Sequence, residues 1–93
     1  ALLSGEVDWV AAAGNYLELH ASGEVHLVRE MLKSVHGRLG RERFLRIHRS
    51  TLVRRDAVLR LAVRGDDAMV VLRDGTELPV GRMYRADLGG FVP

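Results

Sequence analysis

Ninety-three residues with no cysteine, 47% hydrophobic content and a formal net charge of +2 predict one domain, large enough to bury roughly two-thirds of the surface of its unfolded chain. The lack of Cys excludes disulfides, thiolate metal sites and Cys nucleophiles, and suits a cytoplasmic protein. Apolar runs fall far short of a membrane span and no basic region precedes an apolar core, so neither a transmembrane helix nor a signal peptide is expected.

In chain order, Val7 to Ala12 and Tyr16 to His20 read as strands joined through Ala13-Gly14-Asn15, where Gly14 and Asn15 tolerate left-handed backbone. A three-residue loop Ser22-Gly23-Glu24 pairs Ala21 with Val25 and Leu19 with Leu27, and sets His20 opposite His26. From Arg29 to Leu39 the period changes. Met31, Leu32, Val35 and Leu39 recur at three and four residues and predict one amphipathic helix, whose mixed polar face (Glu30, Lys33, Ser34, His36, Arg38) suits packing rather than recognition.

Phe44 to Arg55, FLRIHRSTLVRR, places a cationic knot between apolar stretches. Leu45 and Ile47 alternate with Arg46 and His48, a strand pattern that Arg49 and Ser50 interrupt. Ser50 is expected to cap a short turn beginning at Thr51, which stands Arg49 on a corner. Strands follow at Val58 to Val63 and Ala68 to Leu72. A four-residue loop Arg64 to Asp67 matches Val70 to Leu61 and Leu72 to Leu59, while the Asp74-Gly75 turn sets Val71 against Leu78 and Met69 against Val80. The 68 to 72 strand is apolar on both faces, so more than one sheet layer is required.

Charge is concentrated in the middle of the chain. Arg41 to Arg60 holds seven Arg against Glu42 and Asp56, a local balance of +5, and the remainder of the chain is therefore negative. A basic block on a nearly neutral chain is the footprint of a polyanion partner. The bland alternative is a solvated Arg-rich face.

Four ordered segments carry a family resemblance: AGNYLELH (Ala13 to His20), the MLKSVHGRL helix, FLRIHRSTLV (Phe44 to Val53) and LRDGTELPVGRMYR (Leu72 to Arg85). Together they resemble a LytTR-type DNA-binding domain, the output module of bacterial response regulators. The resemblance implies a mainly β fold with one amphipathic helix, built as an elongated stack of small antiparallel sheets. It implies a single domain over residues 1–93, expected to be a fragment of a longer regulator with a fused or partner sensor or receiver domain. It also implies sequence-specific binding of double-stranded DNA through loops, for transcriptional regulation in a two-component system.

Residue by residue, the resemblance assigns Asn15 to base edges in one major groove, Arg49 to the intervening minor groove, and Arg82 to a second major groove. These residue types fit: an amide pairs with adenine, guanidinium with guanine O6 and N7, and a narrow minor groove attracts an inserted Arg. Arg46, His48, Arg54, Arg55, Tyr84 and Arg85 are backbone contacts or supports. Repeated half-sites and self-association on DNA accompany the family; no cofactor and no membrane are expected. Arg54 replaces the family's usual Asn, Thr51 a common aromatic, and Gly81 the usual Ser.

Two other classes remain open. His20 and His26 facing each other, with Glu18 or Glu24, would begin a metal site, but no third nitrogen ligand or Cys completes it. The serines lack any spacing that fixes a base and an oxyanion hole, so no enzyme is expected. A small β protein-interaction module with a basic face is the remaining alternative. Asn15 suits any tight loop, Arg82 any surface, and Trp9, Tyr16 and Tyr84 a half-buried rim.

Overall fold

The computed structural model describes residues 4–91. Gly14 adopts a φ of 61°, so Gly14 and Asn15 alone close the hairpin between β1 (Trp9–Ala13) and β2 (Tyr16–Ala21), with Ala13 opposite Tyr16. β3 (Glu24–Val28) follows through another two-residue turn, Ser22-Gly23, with φ values of 50° and 82°. The expected three-residue loop does not form. Ala21 pairs with Glu24, His20 with Val25 and Leu19 with His26, because two consecutive positive-φ residues make a turn whose twist matches the strands. A slip of one residue sends every β3 side chain to the other face. Val25 and Leu27 are consequently exposed, and His20 and His26 lie on opposite faces of the sheet rather than forming a ligand pair.

Extended pairing continues to Val28, so helix α1 spans Leu32–Leu39, starting later than the apolar spacing predicts. Met31 is its exposed N-cap, not part of the packing stripe. Leu32 and Val35 are buried, as is His36, whose Nε2–H donates to the Phe44 carbonyl at 2.8 Å and ties the helix to β4 (Phe44–His48). β5 (Thr51–Arg54) returns after a turn at Arg49-Ser50. Thr51 starts a strand opposite His48, so Ser50 sits within the hairpin turn and does not cap a separate one.

A single 3-10 turn leads to β6 (Val58–Arg64), β7 (Asp67–Leu72) and β8 (Glu77–Pro79). Leu61 faces Val70 as expected, but a bulge between Val58 and Arg60 places Leu72 opposite Val58 and exposes Leu59. The last register also differs by one residue: Val70 faces Leu78 and Val71 faces Glu77. Gly75, at φ 93°, extends the turn to three residues, Arg73-Asp74-Gly75, closed by the Leu72 N–H to the Thr76 carbonyl at 2.8 Å. The Thr76 backbone N–H donates to Asp74 Oδ1 at 2.9 Å and lowers the carboxyl pKa.

Two antiparallel sheets result, one in the order β3-β2-β1-β5-β4 and one in the order β6-β7-β8. The larger sheet has a core on each face. Val10, Leu19, Phe44 and Leu52 meet Leu32 and Val35 of the helix. On the other face Leu45, Ile47 and Val53 meet Val70, Leu72 and Leu78 of the small sheet, together with Leu88 of the C-terminal 3-10 helix Arg82–Phe91. Helix, sheet and sheet stack into a molecule of 37 × 22 × 21 Å, elongated as expected.

Phe44 is fully buried between sheet and helix, so Phe44→Ala should destabilise by about 3–5 kcal/mol. Leu27→Ala on the exposed face should change stability by no more than about 0.5 kcal/mol. Urea denaturation checks both; equal losses would contradict this placement of the core.

Candidate nucleic-acid interface

Antiparallel pairing decides which turns share an end of the larger sheet. β1 and β5 pair with Ala11 opposite Thr51, and the Ala12 N–H extends the ladder to the Ser50 carbonyl at 2.8 Å. The Gly14-Asn15 and Arg49-Ser50 turns therefore project from the same end, about 10 Å apart across two strand spacings. On the outer edge of β4, the Gly81 N–H donates to the Ile47 carbonyl at 2.8 Å, which starts the Arg82 segment beside the same turn. Asn15, Arg49 and Arg82 thus follow one another across one end. All three are exposed.

The corner at Arg49 is built by its neighbours. Arg46 donates through Nε to the His48 carbonyl at 3.3 Å and through Nη2 to the Arg49 carbonyl, and its guanidinium lies 6.0 Å from the Tyr84 ring centroid. The Ser50 N–H donates to His48 Nδ1 at 3.2 Å, and Ser50 Oγ lies 2.9 Å from the same nitrogen. Acceptance at Nδ1 puts the proton of a neutral His48 on Nε2. Gly81 packs flat against both groups. A Cβ there would stand 3.1 Å from Tyr84 Cδ2 and 3.4 Å from His48 Cδ2, so glycine permits the close contact between the corner and the Arg82 segment.

The remaining basic candidates divide by location. Arg85 donates to the Asp66 carbonyl at 3.2 Å in the β6–β7 turn, beside the Arg82 segment. Arg54 and Arg55 are not brought to this end: β5 runs away from the corner, and they lie where it finishes. Arg54 donates through Nε to the Val7 carbonyl at 3.0 Å and pairs through Nη2 with Asp8 Oδ1 at 2.9 Å. Arg55 Nε bonds the Glu42 carbonyl at 3.2 Å. By contrast, the side chains of Arg49 and Arg82 make no hydrogen bond or ion pair among the described residues.

Of the basic block, Arg46, His48 and Arg49 lie at the near end with no acid of the block beside them, whereas Glu42 and Asp56 lie beyond the far ends of β4 and β5 together with Arg41, Arg43 and Arg55. Sequence reasoning named the exposed residues and counted Arg46, His48 and Tyr84 among the backbone contacts or supports, but not the contacts by which they brace the corner. The cation–π approach of Arg46 to Tyr84 and the Gly81 contact arise from the docking of two distant segments. A local signal did exist in the His48-Arg49-Ser50 triplet, where imidazole and hydroxyl two residues apart can bond across a turn. Trp9 is half-buried and stacks on His20, centroids 3.6 Å apart. The described residues contain no group of three or more His, Asp or Glu able to hold a metal ion, and no helix among them is long and apolar enough to cross a membrane.

Comparison with known proteins bears on the family and the fold. The family model of the LytTr DNA-binding domain matches residues 2–91. Among solved structures, the fold is similar to the LytTr DNA-binding domain of a methyl-accepting/DNA response regulator from Bacillus cereus, with a TM-score of 0.86 and 16% identity over 97% of this chain and 84% of that one. No curated protein gives a significant match.

The Arg54–Asp8 pair joins the entry of β1 to the end of β5. Removing it with Arg54→Ala should cost about 1–3 kcal/mol of stability while the preferred DNA sequence stays unchanged. Denaturation and binding selection on the same variant check this; intact stability with altered preference would instead make Arg54 a reading residue.

Proposed function

The chain belongs to the LytTR family of DNA-binding domains, and from that premise we propose that it reads duplex DNA with the loop end of its larger sheet. The family binds DNA and is not a catalytic one. The observation that carries the reading is the alignment of three exposed side chains, Asn15, Arg49 and Arg82, across one end of a rigid sheet. Among the described residues their polar groups have no partner, which leaves them available to a ligand.

In this reading the outer two enter successive major grooves and Arg49 the minor groove between them. Asn15 offers one acceptor and two donors to adenine, and Arg82 a donor fork to guanine. Arg46 and Arg85 retain further N–H donors beyond the bonds that brace them, enough to touch phosphate as well. Tyr84 and His48 shape the surface, with His48 Nε2–H available as a donor. Arg54 and Arg55 hold the far end of the sheet and take no part in contact. The protein acts in transcriptional regulation, in the cytoplasm, on repeated half-sites where copies associate on DNA, under a sensor or receiver domain.

Binding should fall with salt, log affinity declining by about 0.9 per decade of salt for each phosphate neutralised. Asn15→Ala and Arg82→Ala should each lose about 1–3 kcal/mol of discrimination against random duplex while keeping most non-specific affinity. Competition binding across a salt series measures both. A flat salt response, or undiminished discrimination in both variants, would overturn the proposal.

Arg49→Ala should leave the preferred outer bases intact and abolish the preference for an A·T-rich centre, because minor-groove readout reports groove width rather than base identity. Its side chain has no internal partner among the described residues, so melting should be unchanged. A lowered melting temperature with an unaltered central preference would make Arg49 a structural brace.

A further inference from the structure

We propose that Met83 is a second specificity-determining residue of the Arg82 loop, which reads the 5-methyl group of a thymine next to the base pair read by Arg82. The inference rests on the proposed DNA reading and adds to it an apolar contact. Met83 is 91% exposed, more than any other large apolar side chain among the described residues. Its location separates it from ordinary surface scatter, since it lies between Arg82 and Tyr84 in the segment that Gly81 docks against the corner.

The local geometry explains how it is displayed. In a 3-10 helix, with three residues per turn, residues three apart lie on one ridge. Tyr84 packs inward on the core beside Arg46. Arg82 and Arg85 then form one outward ridge, and Met83 and Ala86 the other, all four exposed. The segment presents a cationic ridge beside an apolar one. In a major groove these match two neighbouring features: the O6 and N7 acceptors of guanine, and the thymine methyl, the one apolar group there. An unbranched thioether adapts its shape to such a methyl better than a branched side chain would.

The test isolates a single methyl group. A duplex enriched from a random pool by the intact chain is resynthesised with each thymine replaced in turn by deoxyuridine, which removes the methyl and leaves every hydrogen-bonding group. Replacement at one thymine next to the Arg82-dependent pair should weaken wild-type binding about three- to fivefold, the worth of one buried methyl-sized group. Met83→Ala should bind the unmodified duplex with the same loss and show no further response to deoxyuridine. Met83→Leu, apolar but branched, should restore part of the response, and Met83→Gln should restore none. Wild-type binding indifferent to every replacement, or a full response retained in Met83→Ala, overturns the inference. Asn15→Ala and Arg82→Ala separate the two levels: if they lose discrimination while deoxyuridine has no effect, only the Met83 role fails, whereas unchanged discrimination in both overturns the underlying DNA reading.

Discussion

The ladder between β1 and β5 is the pairing on which the rest of the molecule depends. Without it the larger sheet would fall into a three-stranded meander, β1 to β3, and a separate β4–β5 hairpin; with Trp9 opposite Val53, Val10 opposite Leu52 and Ala11 opposite Thr51 they become one sheet. Pairing of distant segments is costly in loop entropy, and here burial offsets it, since Val10, Leu52 and Val53 are fully buried. The antiparallel sense of the ladder also has a functional consequence. It brings the turn after β1 to the same end as the turn before β5, so one packing decision assembles two of the three exposed loops. Gly81 brings in the third through its bond to Ile47.

Arginine serves two purposes in this chain, and the purposes are separated in space. Arg54, Arg55 and Arg73 donate to the carbonyls of Val7, Glu42 and Asp56. Each bonds across a strand pair just beyond its ladder, at the β1–β5, β4–β5 and β6–β7 pairings in turn. The guanidinium suits this because it carries five donors in a rigid fork and satisfies otherwise exposed backbone acceptors. At the loop end, Arg46 performs the same task for the corner, folding over Tyr84 and donating to His48 and Arg49. Arg49 and Arg82 are then left with side chains that nothing in the described protein engages. A rigid, braced corner holding an unengaged cation lowers the ordering cost of binding, because few rotamers are left to fix besides those of the contact residue itself.

Much of this was legible in the sequence. Period-two alternation gave the strands, the doubly apolar 68 to 72 stretch required two sheet layers, and the Arg41 to Arg60 block pointed to a polyanion. Registers were less legible, since they turn on one residue's φ. Ser22 adopts a positive φ that its type rarely takes, and Gly75 adds a third residue to a turn that Asp74-Gly75 alone would close in two. Each moved the facing strand by one residue, exposing Val25 and Leu27 in one case and setting Leu78 against Val70 in the other. Charge counting could not tell Arg54 from Arg49, because the difference lies in a partner, Asp8, that approaches only when β1 and β5 pair. Gly81 was noted as a departure from the family's Ser; its physical reason, the 3.1 Å approach of Tyr84, depends on tertiary packing.

Amide chemical-shift mapping of the chain with an enriched duplex tests most directly whether the loop end is the contact surface. Saturating DNA should move the amides of residues 14–16, 48–50 and 81–85 while leaving 22–24 at the opposite end of the sheet and 54–57 beyond β5 unchanged. Shifts confined to the Ser22-Gly23 end or to the Arg54 end, with the three loops silent, would contradict the assignment.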